Sequence, residues 1–186
     1  MPDMKKRKQT LMLAVLATVI HLPVVMAQTV ADCPNMELAF APQPAALELV
    51  IKGIRAARSS IHVAAYAFTS KPVAQALLQA QQRGVEVALV ADEKENTGRY
   101  TAIRYLADKG IAVRLNGKYA ILHDKFMIID QQHVQTGSFN YTAAAASRNA
   151  ENVLLLWDAP QLASRYEQQW QQLWQEARTL PDQTQP

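Results

Sequence analysis

From position 45 onward the apolar residues switch repeatedly between two periods. Leu47, Val50, Ile51 and Ile54 sit at helical spacing and predict a helix over 45–58. The 61–68 run is β-rich and is bounded by Thr69-Ser70-Lys71-Pro72. Pro72 suits the first turn of a new helix, Ser70 is its candidate cap, and the helix stops after Arg83 at Gly84. A second apolar strand follows at 85–91, and a polar loop over 92–98 leads into a helix through Ala107 that Gly110 closes. The 111–115 run predicts a third strand. Runs 125–129 and 133–136 pair around a Gln131-Gln132 turn, and 153–157 adds one more strand. The 162–177 segment is an amphipathic helix carrying Trp170 and Trp174 at i, i+4, a spacing that suits core or dimer packing better than base stacking.

Strands and helices alternate at βαβ spacing, and the strands are nearly unbroken apolar runs. That predicts an α/β fold: a mixed, mostly parallel β-sheet sandwiched between helices. Residues 28–44, rich in Pro, Ala and polar side chains, read as an irregular lead-in, 45–178 as the folded domain and 179–186 as a flexible tail. No internal repeat is visible.

Residues 1–27 differ from the rest. Met4-Lys5-Lys6-Arg7-Lys8 is a positive segment, 11–20 is uncharged and apolar, and Val25-Met26-Ala27 places small residues at −3 and −1 of a cleavage point before Gln28. This is the layout of a secretory signal peptide. A membrane anchor needs about 20 apolar residues, and here His21 and Pro23 interrupt after ten. The expected product is exported, periplasmic or secreted, about 159 residues long, with no stable membrane association after cleavage.

Composition then excludes several classes. With 49% hydrophobic and 19% charged residues the chain has enough apolar material for a core, and with one cysteine, Cys33, it is no disulfide-stapled mini-protein. The net charge of +3 is misleading. The first 27 residues hold four of the 19 basic residues and one of the 16 acidic ones, so the remainder carries 15 of each. Any basic surface must come from local arrangement. Arg99, Arg104 and Arg114 with Lys94 and Lys118 are candidates for a basic rim, or for ordinary solvated positions. Asp92, Glu93 and Glu95 have no His or Cys neighbour and read as solvated carboxylates, so no metal or cofactor is expected.

The chemistry concentrates in His123-Asp124-Lys125-Phe126-Met127-Ile128-Ile129-Asp130. On a strand His123 and Lys125 share a face, and an imidazole beside an ammonium suits a phosphate: one neutralises oxygens, the other attacks phosphorus or moves a proton. Asp130 lies seven residues from His123, roughly 23 Å if extended at about 3.3 Å per residue. Unless the chain bends, Asp130 has a structural role or a contact elsewhere. Gly137 permits close backbone approach, and Ser138 and Asn140 can present neutral donors to the same anion. Glu151, in Asn149-Ala150-Glu151-Asn152, can accept from a ring nitrogen of His123. Of the other imidazoles, His62 in a strand reads as structural and His133 after the turn as solvated.

His123-x-Lys125-x4-Asp130, Gly137-Ser138-x-Asn140 and Asn149-x-Glu151-Asn152, in that order, resemble the phospholipase D superfamily. Similarity also includes 65–70 and 106–117, so that it spans about 45–175. The short exported form with one motif most resembles the small bacterial endonucleases of that family. The resemblance implies the phospholipase D/nuclease-like fold and a metal-independent phosphodiesterase. The motif histidine would form a phosphohistidine intermediate, while a second motif histidine protonates the leaving oxygen and then activates water. It implies catalytic roles for His123, Lys125, Asp130 and Glu151, with Lys125, Ser138 and Asn140 binding the phosphate. Two histidines require two motifs, so a homodimer sharing one site is expected. The expected substrate is DNA, RNA being the alternative polymer. A lipid phosphodiesterase ranks second, because the mature chain shows no apolar or amphipathic basic element suited to a membrane face. A non-catalytic nucleic-acid binder ranks third, because binding needs no nucleophile.

Overall fold

The computed structural model describes residues 35–98 and 101–180. The signal segment, Cys33, Arg99 and the tail beyond 180 lie outside the described residues. Eight strands form one sheet: β1 (Met36–Ala41), β2 (Ser60–Ala65), β3 (Glu86–Asp92), β4 (Ala112–Asn116), β5 (Lys125–Ile129), β6 (His133–Gly137), β7 (Glu151–Leu156) and β8 (Arg178–Thr179). The spatial order is β1-β7-β6-β5-β2-β3-β4-β8. Helices α1 (Pro44–Ala56), α2 (Lys71–Gln82), α3 (Glu93–Asn96), α4 (Ile103–Asp108), α5 (Ala143–Ser147) and α6 (Pro160–Glu176) complete the fold.

The two faces of the sheet bury two cores. One holds Ile61, Val63, Leu89, Met127, Ile129, Val153 and Leu155 with Leu49, Ile54 and Leu77 of α1 and α2. The other holds Ala64, Val90, Phe126, Ile128 and Val134 beneath Trp170 and Leu173 of α6. Strand β5 is buried along its whole length because its side chains alternate between these two cores. This double burial explains the unbroken apolar runs in the sequence: a strand covered on both faces has no polar side to show.

Local chemistry sets the helix ends. Ser70 accepts from the Val73 N–H at the start of α2, as its position before Pro72 predicts. Gly84 and Gly110 take positive φ at the ends of α2 and α4. His62 stacks on Trp170 at 4.1 Å, and Trp170 on Trp174 at 4.9 Å. The Trp170 indole N–H donates to Val63 O at 2.8 Å, and Arg114 lies over Trp174, so this aromatic column clamps α6 onto the sheet.

Four expectations need correction. The sheet is mixed but mostly antiparallel: of its seven strand pairings only β2–β3 and β3–β4 are parallel. Those two are joined through helices, whereas β5 and β6 are joined by a tight turn, and a parallel crossover needs about a dozen residues or more. The turn itself centres on Asp130 and Gln131, both at positive φ, one residue earlier than the Gln131-Gln132 expectation. Residues 36–41, placed in the irregular lead-in, form edge strand β1, paired with β7 along its length. Here Ala39 and Ala41 point inward while Met36, Leu38 and Phe40 stay exposed, so a usual inward apolar pattern is absent from the sequence. These three give the described chain the apolar stripe that the sequence reading had not found. Finally, Thr179, assigned to the flexible tail, pairs in β8 against Arg114 of β4.

Candidate active site

Strands β2 and β6 end, and β5 and β7 begin, at one edge of the sheet. A cleft of about 710 Å3 opens there. Its wall includes His123, Lys125, Ser138, Asn140 and Glu151, brought together from three separate stretches of chain, with Arg165, Tyr166 and Gln169 contributed by α6. His123 is exposed and lies just before β5, not on it. Lys125 starts the strand and is buried, at 7% exposure.

The imidazole of His123 packs edge-on to the Tyr66 ring at 4.7 Å, and the Lys125 ammonium lies 5.2 Å from the same ring. Lys125 also donates to the His123 carbonyl. Tyr66 sits directly after β2, whose Ala65 pairs with Lys125, so the strand pairing sets this three-way contact. Burial lowers the Lys125 pKa, opposed by the Asp124 and Glu151 carboxylates. Burial likewise raises that of Asp124, opposed by Lys125 and His123. The segment carrying His123 is tied down one residue earlier: buried Asp92, at the end of β3, accepts from the Leu122 N–H at 2.7 Å and caps α3 through the Glu95 N–H at 2.9 Å.

The second half of the motif is held through Ser138. Its hydroxyl donates to Glu151 Oε2 at 2.6 Å and accepts from the Asn152 N–H at 3.1 Å, while Asn149 donates to Glu151 Oε1 at 2.9 Å. Both oxygens of Glu151 are therefore given to Asn149 and Ser138 rather than to the His123 ring, and the Ser138 proton is directed to Glu151 rather than into the cleft. Asn140 lines the cleft with its Oδ1 buried and without a hydrogen-bond partner.

Gly137 is required by this join. It takes φ +145°, and a Cβ there would overlap the Asn152 carbonyl oxygen. Gly137→Ala is expected to cost about 2 kcal/mol or more and to reduce activity as well, because it pushes β6 from β7 where Ser138 meets Glu151. Thermal unfolding and turnover of the same preparation check this.

Asp130 must be corrected. Grouped with the catalytic residues on the motif pattern, it lies at the far end of β5. Its carboxylate accepts from the N–H groups of Arg58, Ser59 and Ser60 and from the Ser59 hydroxyl, at 2.7–3.1 Å. It fastens the α1–β2 connection and stands outside the cleft. His62 gives Nδ1 to Glu167 at 2.8 Å, and His133 accepts from the Asp158 N–H at 3.0 Å, so neither joins His123.

Three of the five basic-rim candidates have partners within the chain, and Arg99 lies outside the described residues. Lys118 pairs with Glu176 at 2.5 Å, Arg114 donates to Trp174 O at 2.9 Å, and Lys94 donates to Ala120 O at 3.3 Å. The neighbouring carboxylates are engaged too: Glu93 with Arg178, and Glu95 near the Tyr66 hydroxyl, whose pKa it raises. Among the described residues no three His, Cys, Asp or Glu side chains gather as a metal site. Arg165, Tyr166 and Gln169 were missed by sequence reasoning, because a polar residue on an amphipathic helix gives no sign of which surface lies beside it.

Comparison with known proteins gives the same fold. A family model described as "Cardiolipin synthase, PLD-like domain" matches residues 50–174. The crystal structure of Nuc from Salmonella typhimurium, described as a phospholipase D family member, superposes with TM-score 0.78 at 39% identity, covering 80% of this chain and 99% of that one. NucT from Helicobacter pylori superposes with TM-score 0.73 at 27% identity, covering 78% and 99%. A phospholipase D of Rickettsia typhi is 36% identical over 136 residues, which is 73% of this chain and 66% of that protein. The chain thus spans just under two thirds of the length of this curated relative.

Proposed function

The chain belongs to the phospholipase D-like family, and on that premise we propose that it is a metal-independent phosphodiesterase that cuts DNA, without sequence preference, through a phosphohistidine. The observation that carries this reading is the meeting of an exposed imidazole, a buried ammonium and an amide, His123, Lys125 and Asn140, in one open cleft. A ring nitrogen of His123 attacks phosphorus, and the bond to the leaving oxygen breaks as a second imidazole donates a proton to it. Water, deprotonated by that second imidazole, then displaces His123 and restores both groups. Lys125 and Asn140 hold the non-bridging oxygens, where electrostatic stabilisation contributes most to phosphoryl transfer. Glu151 acts on this site through Lys125 and Ser138, which it contacts electrostatically and by hydrogen bond.

Of the three histidines among the described residues, only His123 lines the cleft. The second imidazole therefore comes from a second copy, in a homodimer with one shared site. A monomeric mass in an active sample at micromolar concentration would overturn the dimer. The fold overlaps nearly the whole of the Nuc and NucT chains, against 66% of the Rickettsia typhi protein, which supports a catalytic unit of this size. Residues 1–27 serve in this proposal as a cleaved export signal ahead of a 45–178 catalytic domain. The name of the Rickettsia relative favours the second reading, a lipid phosphodiesterase.

The test incubates the full chain with plasmid and single-stranded DNA in excess EDTA. Degradation is expected; cleavage that chelator stops refutes the metal-independent reading. Hydrolysis of phosphatidyl vesicles but not of DNA would install the lipid reading instead. Tight DNA binding without turnover would leave a non-catalytic binder.

A further inference from the structure

A second groove, about 640 Å3, runs along α6 beside the cleft. Pro160, Gln161, Ser164, Arg165 and Gln168 line it, and Arg165 is common to both. We infer that this groove is the continuation of the site, and that it holds the sugar-phosphate strand flanking the scissile bond of a nucleic acid. The inference rests on the nucleic-acid reading above and gives it a specific surface.

Helix geometry makes the groove a track. Gln161, Ser164, Arg165 and Gln168 fall at i, i+3, i+4 and i+7, one stripe of α6, while Ala163, Tyr166, Trp170 and Leu173 form the stripe packed on the sheet. At 1.5 Å rise per residue the polar stripe from 161 to 168 is about 10 Å long. That matches about three phosphate steps of one strand along a duplex axis, at 3.4 Å each.

The charge on α6 is distributed to suit a polyanion. Its two carboxylates are engaged elsewhere: Glu167 with His62 and Gln171, Glu176 with Lys118 and Tyr119. The stripe along the groove carries one charge, the exposed Arg165, and otherwise neutral amides and a hydroxyl. A guanidinium with five donors serves more than one acceptor and suits a phosphate. An acyl chain leaving the cleft in this direction would meet glutamines, a serine and an arginine, with Pro160 as the one apolar contact. The groove thus discriminates by chemistry: it rewards a hydrophilic chain with phosphates at regular spacing, and offers a lipid tail nothing.

The experiment compares substrates of different length in EDTA: bis(p-nitrophenyl) phosphate, a dinucleotide and a single-stranded 16-mer. Wild type is expected to gain in kcat/KM from dinucleotide to 16-mer. Gln168→Glu, which places a negative charge in the second groove, should lose about tenfold of that gain, mostly in KM. Arg165→Ala should reduce the salt slope of 16-mer binding by about one. Both positions are exposed on the helix, and an unchanged unfolding midpoint verifies the fold. Equal losses on dinucleotide and 16-mer in Gln168→Glu, or an undiminished length gain in Gln168→Glu with an unchanged salt slope in Arg165→Ala, overturn the inference. Wild type inert towards all three diesters would instead refute the phosphodiesterase reading. Wild type that cleaves the nitrophenyl diester and phosphatidyl vesicles but neither oligonucleotide would remove the nucleic-acid reading and this inference with it.

Discussion

His123→Ala is expected to abolish diester cleavage while leaving the protein as stable as wild type. A covalent mechanism depends on its nucleophile, and losing one lowers turnover by about 10^4-fold or more. The side chain is exposed and touches the fold chiefly through the Tyr66 ring, so its removal opens no cavity. Its effect on stability should stay within about 0.5 kcal/mol. Lys125→Ala would act differently. This ammonium is buried between Tyr66 and the His123 carbonyl, so its loss disturbs the His123 segment as well as removing a phosphate donor. One electrostatic donor is worth about 10^2–10^3 in turnover. Turnover in EDTA and thermal melts of both variants measure the separation. A fall of less than about tenfold in His123→Ala would remove it as nucleophile.

The sequence made most of this cleft legible because its parts lie close together in the chain. His123, Lys125, Ser138, Asn140 and Glu151 fall within 29 positions, on β5, β6, β7 and their joins, and short connections bring them to one sheet edge. The strand cores were legible for a related reason: β3 and β5 are covered on both faces and read as nearly unbroken apolar runs. Direction was not legible. The alternation of elements pointed to parallel pairing, but it says nothing of where β5 inserts, and β5 lies antiparallel beside β2. Strand β1 was hidden because its large apolar side chains face outward and its alanines inward. The α6 wall was hidden because nothing in Arg165, Tyr166 or Gln169 marks the loop and strand ends opposite. Tyr66 and Asp92 reach the His123 segment from 57 and 31 positions away, through sheet register alone.

Asp130 is where motif and mechanism part, and its replacement should show this as a loss of stability without a matching loss of chemistry. Its carboxylate satisfies three successive backbone N–H groups and a hydroxyl where α1 turns into β2. Hydrogen bonds to a charged acceptor contribute about 1.5–3 kcal/mol each, less where water can replace them, so Asp130→Ala should cost about 2–4 kcal/mol overall. At about 2–4 °C per kcal/mol for a domain of this size, the midpoint falls by roughly 5–15 °C. Part of the alanine effect is backbone: residue 130 holds φ +54°, which Asp and Asn tolerate and Ala does not. Asp130→Asn keeps that tolerance and one acceptor oxygen, so it isolates the contribution of the charge. Burial pushes the Asp130 carboxyl up, but the Ser60 and Ser59 N–H groups, the Ser59 hydroxyl and the Arg58 N–H outweigh it and hold the pKa below its usual value. A carboxyl with a depressed folded-state pKa stabilises above its unfolded value, about 3.9, and loses that contribution as pH falls through the folded value. The stability gap between wild type and Asp130→Asn should therefore be constant from pH 7 to about 5 and close below about 4. Turnover per folded molecule, measured well below the midpoint, should remain within about threefold of wild type, since Asp130 touches neither His123 nor the cleft. A variant that keeps its midpoint but loses turnover by orders of magnitude would return Asp130 to the chemistry and contradict the geometry that places it at the other end of β5.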